Sequence, residues 1–164
     1  MTTPRPGRAV LVAVGAAAAL SLAACSSASS PTHLTFQSRN SARTEVDLAA
    51  KGPSVGDELD GDGDVVASDG SVIGHFELAS FVTREAAGRE KRMLFGQYNF
   101  GDGADAIMII GANDYPAGGG LPEKPIVFAV TGGTGKYAGA GGQCNGTFTE
   151  PTFTFDCTLK GPKA

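Results

Sequence analysis

Apolar and polar residues alternate along most of this chain, and helical spacing is almost absent after residue 32. The apolar positions fall in short runs rich in β-branched and aromatic side chains, with frequent glycines between them, as in a strand-rich chain. The pattern predicts nine candidate strands, at 33–37, 44–48, 63–67, 72–83, 92–100, 106–111, 126–131, 143–149 and 152–160. In the segment 72–83, one face carries Val72, Gly74, Phe76, Leu78, Ser80 and Val82, and the other carries Ile73, His75, Glu77, Ala79, Phe81 and Thr83. Both faces hold apolar groups, as expected of a curved sheet with an inner core and a partly covered outside. Eight or nine antiparallel strands in one domain favour closure into a barrel, which removes exposed edges.

The connections carry their own signals. Residues 84–91 read as a charged, solvated hairpin tip. Residues 115–125, with Gly118-Gly119-Gly120 and three prolines, form a long irregular connection of the kind found at a barrel mouth. The run Val130-Thr131-Gly132-Gly133-Thr134-Gly135-Lys136-Tyr137 invites a nucleotide-binding reading and fails it. A phosphate-cradling loop needs Gly where Val130 stands and Ser or Thr where Tyr137 stands. The dinucleotide fingerprint needs a third Gly at position 138, which is Ala. What remains is a glycine-rich turn between strands, with Gly132, Gly133 and Gly135 as conformationally permissive positions and Thr134 able to bond locally.

Cys144 and Cys157 lie on two strand candidates separated by Glu150-Pro151. A register that sets Phe148 opposite Phe153 also sets Cys144 opposite Cys157, which predicts a cross-strand disulfide in an oxidising compartment. Two buried free thiols are the alternative.

Composition bounds the partners. The net charge is −4, and no basic cluster stands free of acid. That balance disfavours nucleic acid and anionic headgroups. The acidic positions Asp57, Glu58, Asp60, Asp62, Asp64 and Asp69 begin like a calcium loop at Asp60, but Val65 and Ser71 stand where Gly and Glu are required, so a solvated turn is predicted. With only two histidines, no metal site is expected, and no cofactor is predicted. No Ser carries an elbow motif, which leaves a hydrolase triad without support.

The amino terminus reads as a processing segment: Arg5 and Arg8, then an uncharged run from Ala9 to Ala24 too short to span a bilayer. It ends in Leu22-Ala23-Ala24-Cys25, which resembles the lipobox of bacterial lipoproteins. That resemblance implies a signal peptide over 1–24, a diacylglyceryl anchor on Cys25, a flexible Ser/Ala/Pro tether through residue 32, and a barrel domain over 33–164 on the extracytoplasmic face of the cell membrane. Two acyl chains suffice for stable anchoring. Removal of Arg5 and Arg8 makes the mature chain two units more acidic.

Several segments, taken in order, resemble the dirigent and allene oxide cyclase barrel superfamily. These are Asp57-Glu58-Leu59, Ile73-Gly74-His75-Phe76-Glu77, the strand 95–102 with Asn99-Phe100, the strand 107–113 ending Gly111-Ala112-Asn113, and the turn from Thr131 to Tyr137. The likeness covers residues 55–149. It implies an eight-stranded antiparallel β-barrel, commonly trimeric, with an apolar cavity for a small molecule. The chain departs from the family where it has His75 and Gly141 in place of arginines. Loss of these strong hydrogen-bond donors argues against carrying over the family's chemistry. The leading expectation is a binding barrel for a small apolar ligand. An isomerase or cyclase and a packed interaction module are the alternatives.

Candidate catalytic groups are Asp57, His75 and Glu77. A histidine can act as acid or base near neutral pH, and His75 and Glu77 share a strand face about 6.6 Å apart. Parity does not say whether that face lines the cavity or points outward. Candidate ligand-binding residues are Phe76, Tyr98 and Thr134. The aromatic residues serve equally as core or as cavity wall.

Overall fold

A computed structural model describes residues 32–48, 51–118, 120–149 and 151–161. The proposed signal peptide, Cys25 and most of the tether lie outside these residues. The strands are β1 (Thr32–Val46), β2 (Glu58–Val66), β3 (Val72–Ala86), β4 (Arg89–Phe100), β5 (Asp105–Pro116), β6 (Ile126–Thr134), β7 (Gly141–Thr149) and β8 (Thr152–Lys160). Each pairs antiparallel with its sequence neighbour, and β8 closes on β1, giving an eight-stranded barrel in the order β1 to β8. Closure gives every strand two paired neighbours, although β5 meets β6 only from Ala106 to Ile110.

Nine expected strands become eight because the first two are one. β1 runs unbroken through the polar stretch 38–43, with a bulge between Asn40 and Ala42 that bends it around the barrel. The acidic stretch is also a strand rather than a solvated turn. Glu58, Asp60, Asp62 and Asp64 alternate with Leu59, Gly61, Gly63 and Val65, so the carboxylates share the outer face while Val65 is fully buried.

The barrel has two unlike ends. At the lower end lie both chain termini of the described domain and the loops 67–71, 101–104 and 135–140. Here the interior is filled: Phe36, Phe76, Tyr98 and Phe155 pack with ring centroids 4.9–5.5 Å apart, each at most 3% exposed. Such ring pairs add about 0.5–1.5 kcal/mol each beyond area burial. Space for the rings comes from small residues on facing strands. A Cβ on Gly111 would meet the Phe128 ring at 2.6 Å, and one on Gly146 would meet Phe128 and Phe155 at 3.3 Å. The disulfide Cys144–Cys157 sits in this core in the expected register, with Phe148 opposite Phe153.

The glycine-rich run closes the lower end. After β6, residues 135–137 form one 3₁₀ turn that sends the Tyr137 ring under Phe100, 5.5 Å away. Asp105 holds this turn, accepting from the Lys136 backbone N–H at 2.9 Å and pairing with Lys136 Nζ at 3.1 Å. These hydrogen bonds keep the Asp105 carboxyl below the usual aspartate pKa. Gly135 is required on two counts: its φ is +55°, and a Cβ there would sit 2.1 Å from Asp105 Oδ1.

Candidate functional site

At the upper end the filling stops short, and a cleft of about 60 Å³ opens among β1, β2, β3, β4, β5, β6 and β8 under the connection 117–125. Its apolar wall includes Leu59, Leu78, Leu94, Ile126, Phe128 and Phe153. Its polar groups are Ser38, Asn40, Arg43, Ser80, Arg92, Tyr98 and Tyr115. Gly120 and Leu121 form the roof.

The strand alternation that buries Phe100 and Tyr98 continues along β4 through Gly96 and Leu94 to Arg92 and Glu90. Both charged side chains therefore enter the barrel, with 6% and 2% of their surface exposed. Arg92 Nε donates to Glu90 Oε2 at 2.8 Å, and Nη2 donates to the same oxygen. Glu90 Oε1 accepts the Gly118 backbone N–H at 2.6 Å. The Arg92 guanidinium lies 4.9 Å from the centre of the Tyr115 ring. Buried charges persist only when paired and bonded in this way.

The two phenols are desolvated donors. Burial pushes the Tyr115 hydroxyl up to about 12, against the opposing pull of Arg92. Burial raises Tyr98 further, with Tyr115 adding to the shift and a hydrogen bond with Ser38 opposing it. Both phenols stay protonated at neutral pH, and both residues line the cleft. Ser80 Oγ donates to the Leu59 carbonyl at 3.2 Å.

Of the residues singled out in the sequence, Tyr98 lines the cleft. Phe76 lies deeper, in the packed core. The cavity reading of His75 and Glu77 is corrected: Phe76, Leu78 and Ser80 take the inner positions of β3, so both residues are exposed on the outer wall. There His75 Nε2 lies 3.4 Å from Asn99 Nδ2. Asp57 is buried but structural. Its carboxylate accepts from Ser54 N and Oγ at 2.7 and 3.0 Å and from Leu48 N at 3.1 Å, closing the β1–β2 connection. Burial raises its pKa, but the bonds from Ser54 and Leu48 outweigh this and hold it low. Thr134 is exposed at the lower end, where Oγ1 donates to the Ala104 carbonyl at 2.8 Å.

The residues missed in the sequence include Ser38, Ser80 and Tyr115 and, above all, Glu90 and Arg92. A charged segment beside a turn reads as a solvated tip, yet β3 and β4 pair as far as Ala86 and Arg89. The available signal was parity: Arg92 and Glu90 lie six and eight positions before Tyr98, on the same face.

No protein-family model matches the chain, and no curated protein matches its sequence. Its barrel is shared with known enzymes. The chain is similar in structure to pyocyanin demethylase, with a TM-score of 0.67 at 22% identity, over 78% of this chain and 99% of that one. It is similar to the Diels-Alderase AbmU from Streptomyces koyangensis, with a TM-score of 0.61 at 14% identity, over 79% of this chain and 68% of the other. A third similar structure, described as a nonspecific heme-binding cyclase that catalyses a [4 + 2] cycloaddition, has a TM-score of 0.60 at 14% identity, and this chain spans 64% of it. At these identities the likeness establishes the barrel fold.

Proposed function

We propose that this protein is a membrane-anchored extracytoplasmic lipoprotein whose barrel binds a small, largely apolar molecule in the upper cleft. The observation that carries the reading is the convergence of Arg92, Tyr98, Tyr115, Ser38 and Ser80 on one apolar cleft. A few polar groups in an apolar concavity are the usual composition of a small-molecule site. The similar barrels are named for chemistry on small organic molecules, which agrees with such a site.

The position of β1 supports a particular orientation. Thr32 lies at the end opposite the cleft. The seven residue steps from Cys25 to Thr32 reach at most about 25 Å, while the 15 residues of β3 extend about 50 Å along the strand. An anchor on Cys25 thus holds the mouth away from the bilayer, open to the aqueous space. The outer wall of β3 to β6 carries Phe81, Phe95, Met108 and Val127, the last three 40–53% exposed. A homo-oligomer, a trimer by the family resemblance, would cover that wall.

A second reading is favoured by the hydrogen-bond donors Arg92, Tyr98 and Tyr115. A cycloaddition or related cyclisation needs no nucleophile. It needs a shaped cleft that holds the reacting ends close and donors that polarise an oxygen. The cleft offers the donors, so an isomerase or cyclase is the alternative to a pure binding protein.

Native mass spectrometry of the protein extracted from membranes tests the proposal. The expected spectrum shows a diacylated Cys25, a bound species lost on unfolding, and a defined subunit number. An unmodified Cys25 would overturn the anchor. A protein that carries nothing and retains no small aromatic probe would overturn the binding site.

A further inference from the structure

The cleft of about 60 Å³ is smaller than the roughly 150 Å³ cavity that accommodates one benzene. Most of its strand walls are tied by ladders, although β5 and β6 pair only from Ala106 to Ile110, below the cleft. The remaining wall is the irregular connection after β5, which roofs the cleft through Gly120 and Leu121. That roof is fastened to the β3–β4 hairpin. Ala117 N–H donates to Gly88 O at 3.0 Å, Gly118 N–H donates to Glu90 Oε1 at 2.6 Å, and Arg89 pairs with Glu123 at 3.7 Å on the exposed side. Of these three ties, the one made by Glu90 reaches the cleft chemistry.

Glu90 also decides the charge of the site. Its Oε2 takes two donors of Arg92, so the cleft guanidinium arrives already neutralised. Behind the pair, Glu45, Asp57 and Glu58 line a void of about 10 Å³ with Glu90 and Arg92, adding negative charge on that side. On the cleft side stand Tyr98 and Tyr115, both protonated phenols, and Arg43, which is exposed to water at the rim. An incoming anion would bring a second negative charge to a guanidinium already neutralised by Glu90, in a buried setting where an uncompensated charge is strongly unfavourable. An uncharged oxygen meets donors and no such cost.

We propose that Glu90 is the specificity-determining residue of this cleft: it neutralises Arg92 and pins the roof, so that the site accepts an uncharged oxygen-bearing aromatic molecule, of the phenol or quinone class, and rejects the corresponding anion. The proposal rests on the cleft being a binding site.

The test uses 4-nitrophenol, which titrates near neutral pH and changes colour on ionisation. Its absorbance is followed against pH with and without saturating full-length mature protein. Wild type is expected to bind the neutral phenol about ten-fold more tightly, raising the apparent pKa of the probe by about one unit. Glu90→Gln keeps an acceptor for Gly118 but leaves Arg92 unpaired, so it is expected to favour the phenolate and lower the probe's apparent pKa. If that variant does not fold, Glu90→Gln with Arg92→Met removes both charges and is expected to retain the preference for neutral phenol. Phenolate preference in wild type, in the double variant, or an unchanged preference in folded Glu90→Gln would overturn the assignment while leaving a binding site. Absence of any probe binding to wild type would instead overturn the binding reading on which it rests.

Discussion

Removing one member of the Glu90–Arg92 pair measures how dry the upper end of the barrel is. The side chains are 2% and 6% exposed, and Arg92 directs Nε and Nη2 at one carboxylate oxygen. Breaking a pair buried this deeply costs about 3–5 kcal/mol, because the survivor keeps its charge without a partner. Arg92→Met is expected at the upper part of that range. Glu90→Gln falls at the lower part, since its amide oxygen can still accept Gly118 N–H. The double variant leaves no lone charge and is expected within about 1 kcal/mol of wild type. The coupling energy of the cycle is then several kcal/mol, well beyond the 0.2–1 kcal/mol typical of exposed pairs. Urea unfolding followed by far-ultraviolet circular dichroism reads all four proteins, as the chain has no Trp. Unchanged m-values would confirm that midpoint shifts report stability. Single variants each costing less than about 1 kcal/mol would refute the reasoning, because water would then be reaching the pair as it does on a surface.

Gly135→Ala meets Asp105 Oδ1 at 2.1 Å and must hold a φ of +55°, whereas Gly70→Ala has a φ of +86° and nothing within 4 Å. Thermal melts should show about 1–2 kcal/mol lost at Gly70 from backbone strain alone and at least about 1.5 kcal/mol more at Gly135, where a charge-assisted bond is also displaced. Equal losses would contradict the close approach. The folded-state pKa of Asp57 is depressed, so its contribution is present above the ordinary aspartate pKa and fades as pH falls through the depressed one. Between about pH 5 and pH 2 the wild type should therefore lose stability more steeply than Asp57→Asn; parallel curves would contradict the hydrogen-bonded carboxylate. His75→Gln and Glu77→Gln should leave probe affinity in the cleft within about two-fold of wild type, since both side chains point outward. A ten-fold loss in a binding titration would reverse that placement.

The barrel class, the antiparallel hairpins and the disulfide were legible in the sequence because each rests on local relations. Period-2 alternation marks a strand wherever it folds. The pairing of Phe148 with Phe153 carries Cys144 to Cys157 with no information from elsewhere in the chain. The run from Gly132 to Gly135 likewise needs only its own backbone conformation to specify a turn, although the need for Gly at 135 comes partly from Asp105, some thirty residues away.

The candidate site was less legible, since alternation defines two faces and does not say which is inside. For β3 the choice was between Phe76 with Ser80 and His75 with Glu77, and both faces carry apolar groups. Closure settles it: the interior of an eight-stranded barrel is shared by residues from every strand, and the face that interlocks with Phe36, Tyr98 and Phe155 is the one that turns in. The same closure draws Glu90 and Arg92 inward from a segment whose composition points to solvent. Sequence alone determined that strands form and how neighbours pair. Only the tertiary structure decided which side chains meet across the barrel, because those contacts join residues from strands distant in the chain and from no single hairpin.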